Sequence, residues 1–112
     1  MAKKEKDNRI WVYVEFAFDS RVAHFYGRME PDMFDRLLRR EVKEMVPLDS
    51  PYWYSEEDSL LSSHDYQGAN AMYFDPGRMV FLAKVDAASR VMKDIEIAQT
   101  MGEMGLHQAG NN

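Results

Sequence analysis

The alternation of apolar and polar residues indicates a β-hairpin at the start of the chain. From Arg9 to Phe18 the sequence RIWVYVEFAF is rich in β-branched and aromatic residues, and its two alternating sets of side chains fit a strand. Asp19-Ser20 supplies a turn, and RVAHFYGRM returns as a second strand. Gly27 lies inside this second strand, where glycine typically marks a bulge or a bend. The sequence therefore predicts a hairpin with a bulge or a bend at Gly27.

A short helix is predicted next, near residues 31–40. Pro31 suits the first helical position, because its missing N–H would have no partner there. The segment 41–48 fits either a continued helix or an extended strand, and Pro47 favours the extended form.

The second half of the chain combines turns, short strands and a final helix. Residues 49–69 are rich in turn-forming residues. Asp75–Arg78, with the sequence DPGR, predicts a type II turn that joins two paired strands, 72–74 and 79–85. After these strands, apolar residues recur at helical spacing from Asp86 onward, which predicts a capped C-terminal helix near 87–101.

Two of the predicted strands are apolar on both faces, whereas a half-exposed antiparallel sheet alternates apolar with polar residues. Both faces therefore need a cover, which the C-terminal helix or a second protein copy could provide. The order of elements over residues 10–85 resembles the layout of small SH3-like or Sm-like barrels. The predicted fold is α+β, with a strongly bent antiparallel sheet of about five strands and the two helices near 31–40 and 87–101.

The composition fits one small domain. The chain has 112 residues, of which 46% are hydrophobic and 29% charged. We expect one α+β domain over residues 9–101, with flexible tails at 1–8 and 102–112. There is no cysteine, no secretory signal and no apolar run near the ~20 residues that span a bilayer. These features predict a cytoplasmic protein without a membrane partner, and the size and composition favour a bacterial or phage-type source.

The stretch DSPYWYSEEDS contains three consecutive aromatic residues. In an extended segment Tyr52 and Tyr54 point to one side and Trp53 to the other, so the three rings cannot form one platform. Two interpretations remain open: Trp53 lies in the core, or it joins Trp11 and Tyr13 in an exposed patch. Tyrosine and tryptophan often anchor protein interfaces.

The main functional hypothesis is a non-enzymatic interaction or assembly module. It would self-associate, as a homo-oligomer, or dock onto a larger protein through the second sheet face and the methionine-bearing C-terminal helix. Methionine-rich surfaces adapt to partners. The interface candidates are Trp11, Tyr13, Trp53, Met92, Met101 and Met104.

Two alternative hypotheses concern a small ligand and nucleic acid. A small-molecule site or an enzyme pocket could lie under the 49–69 segment, with His64, Glu56 and Asp58 as its polar groups. A basic helix over 36–43 could bind anions or nucleic acid. Its candidates are Arg36, Arg39, Arg40 and Lys43. Interleaved carboxylates and a net charge of −5 argue against nucleic acid as the main partner.

The sequence contains no recognisable catalytic, metal-binding or phosphate-binding motif. Ser63-His64-Asp65 has the residue types of a catalytic triad, but adjacent residues cannot adopt its geometry. Histidines lack the spacing of zinc sites, and no phosphate-binding glycine loop is present. We therefore expect no catalytic residue, no metal and no cofactor.

Overall fold

The fold consists of an antiparallel sheet and three helices. The computed structural model describes residues 7–103. Within these residues the elements in chain order are β1 (Ile10–Phe18), β2 (Arg21–Met29), α1 (Pro31–Leu38), β3 (Val46–Tyr54), β4 (Leu60–Ser62), α2 (Ser63–Gln67), β5 (Ala71–Phe74), β6 (Met79–Lys84) and α3 (Arg90–Glu103). The predicted α+β class is confirmed, with six strands where about five were predicted.

The strands form one sheet in the order β4-β3-β2-β1-β6. β5 pairs with the first half of β3, on the side where β4 pairs with its last three residues. Among the described strands, β6 pairs with β1 alone. The sheet is therefore open rather than closed into the barrel whose layout the sequence resembles, and β6 forms one of its edges.

The connection between β5 and β6 differs from the predicted hairpin. The segments 72–74 and 79–85 pair with β3 and β1 and not with each other. Pro76–Arg78 form a turn of 3-10 helix, and the Asp75 carboxylate accepts a hydrogen bond from the Gly77 N–H at 2.9 Å. Gly77 does not adopt the positive φ that a type II turn requires, so that prediction is wrong.

The segment 49–69, predicted to be a turn-rich loop, is mostly regular structure. β3 continues to Tyr54, and β4 and α2 follow it. Within β3 the backbone is irregular at Ser50, whose φ is 52°. The Ser50 N–H donates a hydrogen bond to the Asn70 carbonyl at 2.8 Å. Pairing with β2 on one side and with β4 and β5 on the other satisfies the β3 backbone, and this outweighs the local turn signal of the DSP sequence.

Gly27 lies at an irregularity in the pairing of β2, where the sequence predicted a bulge or a bend. The β2–β3 register shifts between Tyr26 and Arg28. A Cβ on Gly27 would lie 2.4 Å from Leu48 Cγ and 2.9 Å from the Asp49 carbonyl oxygen. The missing side chain thus allows β3 to approach β2 closely where the register shifts.

One helix packs against each face of the sheet and buries side chains there. On the first face, alternate β1 residues pack with Phe34 and Leu37 of α1. The buried members of this core are Val12, Val14, Phe16, Met29, Phe34, Leu37, Val42, Val46, Leu48, Phe74 and Met79. On the second face, α3 buries Met92 and Ile95, which lie outside that core. A single chain thus covers the first apolar face and part of the second.

The helix ends have clear local causes. α1 ends at Leu38, and Arg40 has the left-handed φ of 58° that commonly terminates helices. Residues 41–45 are neither helix nor strand. At α3 the cap is Ser89 rather than Asp86, because the Ser89 Oγ accepts a hydrogen bond from the N–H of the third helical residue at 3.3 Å.

The described region begins inside the first predicted tail. The Asp7 carboxylate pairs with Arg9 at 2.8 Å and with Arg28 at 3.0 Å. Residues 1–6 and 104–112 lie outside the described residues. Among the helices of residues 7–103, none is long and apolar enough to cross a membrane.

Candidate functional site

Four aromatic rings cross four strands on the second face of the sheet. Tyr54 of β3 meets Tyr26 of β2 edge-on, with 6.1 Å between ring centroids. Tyr26 lies 5.0 Å from Tyr13 of β1, and Tyr13 lies 5.8 Å from Phe81 of β6. We call these four residues the aromatic row. Ring pairs at such distances stabilise neighbouring strands, so the row connects the β3 side of the sheet with the β6 edge.

Strand register accounts for the row. The two-residue turn at Asp19-Ser20 pairs Tyr13 with Tyr26 across the hairpin. Both rings share the face opposite the α1 core, because successive side chains in a strand point to opposite faces. Glu15 pairs with Phe81, which places Phe81 on the same face. Phe81 is 50% exposed, since it stands on the edge strand.

Helix α3 covers the opposite end of the row. The Tyr54 hydroxyl donates a hydrogen bond to the Asp94 carboxylate at 2.6 Å. The Arg90 guanidinium lies 5.9 Å from the Tyr54 ring centroid, and Ile95 is fully buried. These contacts hold α3 at the β3 end and leave Phe81 half exposed at the β6 end.

The three tyrosines of the row favour the neutral phenol. Burial and the hydrogen bond to the Glu15 carboxylate raise the pKa of Tyr13 well above its ordinary value. Burial and the hydrogen bond to Asp94 raise the pKa of Tyr54 in the same way. Burial alone raises the pKa of Tyr26. Low-polarity surroundings and adjacent carboxylates both penalise a phenolate.

We expect stability to fall at alkaline pH for this reason. A folded pKa raised above the unfolded value of about 10 contributes stability that is present below pH ~10 and lost as the pH rises through the folded pKa. Urea unfolding at increasing pH should show this loss. Tyr54→Phe should lose stability less steeply than the wild type above pH ~10. Identical slopes for the two proteins would contradict the role assigned to Tyr54.

Trp53 lies on the opposite face from Trp11 and Tyr13. Its ring meets that of Phe25 edge-on, with 5.8 Å between ring centroids. Phe25 packs against the core on the first face of the sheet. Tyr66 of α2 meets the Trp53 ring edge-on, with 6.2 Å between ring centroids. The structure therefore separates Trp53 from the other two predicted interface aromatics.

The remaining interface candidates have three different placements. On the second face, the ring centroids of Trp11 and Tyr52 are 6.0 Å apart. The Arg28 guanidinium lies over the Trp11 ring. Met92 is buried under α3. Met101 is partly exposed, and Met104 lies outside the described residues.

A cleft of about 340 Å³ lies between α3 and the strands β3 and β4. One wall consists of residues of the 49–69 segment, among them Asp58, and the other wall is α3, which the prediction of a pocket under that segment did not include. Glu56 and His64 do not line it, and the His64 side chain is exposed beside Asp65. Of the three predicted pocket residues, only Asp58 belongs to the cleft.

The predicted basic helix is shorter than expected, because α1 ends at Leu38. Its cations lie near acceptors of the same chain: Arg36 is 3.8 Å from Glu44, and Arg39 is 3.0 Å from Glu41. Arg40 donates to the Met79 carbonyl at 3.3 Å, and Lys43 is exposed. The four residues therefore do not form one helical face.

No cluster of three or more histidine, aspartate or glutamate side chains in residues 7–103 has the arrangement of a metal site. Comparisons with protein-family models, with curated proteins and with solved structures find no match for this chain.

Proposed function

We propose that this protein is a non-enzymatic assembly module that self-associates through the β6 edge. The observation that carries the proposal is the aromatic row, which ends in the half-exposed Phe81 on an edge strand. An edge strand presents backbone N–H and C=O groups that can pair with another strand. Val80 beside Phe81 is also half exposed, so apolar side chains flank the edge.

A second copy of the chain is the partner that this edge fits. Two β6 strands related by a two-fold axis run antiparallel, and each offers the other the same row of backbone groups. From Phe81 to Lys84 the β1–β6 register is regular, so no bulge interrupts the part of the strand that would extend the sheet. Phe81 of each copy would then continue the aromatic row into the other. Lys84 is the only charged residue within β6, so few charges need to be desolvated.

We expect the wild-type chain to show about twice the 13.1 kDa mass of one protomer in light scattering at micromolar concentration. Phe81→Lys should raise the dissociation constant by about 30-fold or more, because a buried aromatic anchor contributes about 2 kcal/mol. Far-UV circular dichroism should stay unchanged, since the ring is half exposed in one chain.

Val22→Lys is the matched control. Val22 is similarly exposed and also lies in a strand, but its strand β2 pairs with β1 and β3 and is not part of the β6 edge. We expect this variant to retain the wild-type mass. A wild-type protein that remains monomeric, or a Phe81→Lys variant that associates as strongly as wild type, would refute the β6 interface.

A further inference from the structure

The cleft beside α3 combines aromatic, aliphatic and charged walls. Its volume of about 340 Å³ lies at the lower end of the range of small-molecule sites. Tyr52 and Tyr54 line the sheet side, and Ile97 and Met101 line the helix side. A ligand could therefore place an apolar body between tyrosine rings and aliphatic side chains.

The charges around the cleft are mainly negative. Asp58, Asp65 and Asp94 all line it, and among its described lining residues Arg90 is the one cation. The lining thus carries more negative than positive charge. This balance favours a ligand with a positive charge over a neutral or anionic one.

Arg90 already shows how a cation is held there. Its Nη2 lies 2.9 Å from an Asp58 carboxylate oxygen, and its Nε lies 3.6 Å from Asp94. Its guanidinium carbon lies 5.9 Å from the Tyr54 ring centroid. Two carboxylates and an aromatic face are the groups that recognise guanidinium and ammonium ions.

The ion pairs of Arg90 are weak enough for another cation to displace its guanidinium. The Arg90 side chain is 72% exposed, and that of Asp58 is 66% exposed. Exposed ion pairs of this kind shift an equilibrium by about fivefold or less, because water and salt screen them. A cation that also fills the apolar part of the cleft gains contacts that Arg90, placed at the first turn of α3, does not make.

We propose that the cleft binds an organic cation, an ammonium or guanidinium group on a short aliphatic stem, which takes the place of the Arg90 guanidinium between Asp58 and Asp94. The stem packs between Tyr52 and the aliphatic side chains of α3. The same chemistry occurs in free alkylamines and in the lysine or arginine side chain of a protein partner. This site is independent of the β6 edge.

The test is titration of the full chain with butylguanidinium and butylammonium, followed by NMR chemical shifts and calorimetry at constant ionic strength. We expect saturable binding, with shifts confined to α3, β3 and β4. Butanol supplies a neutral probe of the same length, and it should bind at least about tenfold more weakly. N-acetyl-arginine methylamide distinguishes the two sources of the cation. Tighter binding of this compound than of butylguanidinium and butylammonium assigns the basic side chain of a protein partner. Weaker binding assigns a free alkyl cation.

Variants separate a specific site from general electrostatic attraction. Asp94→Asn keeps an acceptor for the Tyr54 hydroxyl but removes the charge, so binding should weaken about tenfold. Arg90→Met removes the resident guanidinium and should strengthen binding a few-fold. Glu96→Gln and Lys93→Met change charges on α3 outside the cleft lining and should leave binding unchanged.

Three results would overturn the proposal. Sodium chloride alone could reproduce the shifts, butanol could bind as well as the cations, or Arg90→Met could weaken binding. The last result would mean that Arg90 helps to form the cleft wall rather than occupying the cation position.

Discussion

Replacing Ile95 with alanine is expected to lower the free energy of unfolding by about 2–5 kcal/mol, the usual cost of truncating a fully buried isoleucine. Ile95 has no exposed surface, and it lies on α3 next to Asp94, which binds the Tyr54 hydroxyl. The substitution removes the apolar contact that holds α3 on the second face. Urea unfolding followed by circular dichroism measures the loss.

Ile97→Ala is the control on the same helix. Ile97 is 58% exposed, so the same truncation should change stability by no more than about 0.5 kcal/mol. Hydrogen exchange of the α3 amides provides a second readout, because the helix could detach before the sheet unfolds. Equal effects of the two substitutions on both measurements would mean that α3 does not dock through Ile95.

Replacing Gly27 with alanine is expected to destabilise the protein by about 2–3 kcal/mol, through overpacking rather than through a forbidden backbone angle. The added Cβ would lie 2.4 Å from Leu48 Cγ, and Leu48 is fully buried. Leu48 has little room to move, and the Asp49 carbonyl oxygen at 2.9 Å blocks the other direction.

A double-mutant cycle separates this cause from a general loss of glycine flexibility. Leu48→Ala alone is expected to cost about 2–5 kcal/mol, but together with Gly27→Ala the total should fall short of the sum by about 1 kcal/mol or more. Gly68→Ala is the control, because Gly68 has a φ of 69° with no atom within 4 Å of its added Cβ. Its cost of about 1–2 kcal/mol comes from the left-handed backbone and should add to that of Leu48→Ala. Additive costs for Gly27→Ala and Leu48→Ala would contradict the steric explanation.

The local elements of the fold were predictable because their signals lie in neighbouring residues. Alternation indicated both hairpin strands, and the two-residue turn at Asp19-Ser20 also determines that Tyr13 faces Tyr26. Half of the aromatic row could therefore have been found from the sequence. Pro31 and helical spacing indicated α1 and α3.

The errors occurred where distant segments pair. The sequence around Ser50 favours a turn, and Ser50 does have the positive φ of a turn residue. The segment nevertheless remains a strand, because β3 pairs with strands on both of its sides. The DPGR sequence likewise forms a local turn of 3-10 helix, but β5 and β6 leave it toward different partners, β3 and β1. Tyr54 and Phe81 entered the aromatic row only through these long-range registers.

The candidate sites also combine residues that the sequence singled out with residues that only the tertiary structure placed there. Tyr13, predicted as an interface residue, belongs to the aromatic row, and Asp58, predicted as a pocket residue, lines the cleft. The sequence could not assign Trp53 to a face or place Arg90 beside Asp58. Trp53 depends on the β2–β3 register, and the Arg90–Asp58 pair depends on how α3 crosses the sheet.

The sequence by itself determined that this chain forms an α+β domain with strands apolar on both faces, because side-chain periodicity is a local property. Only the tertiary structure decided that α3 covers one end of the second face, that β6 is left as an edge and that a cleft opens beside Tyr54. The reason is physical: strand register and helix docking arise from packing between residues distant in sequence, and a buried contact such as that of Ile95 outweighs local preference.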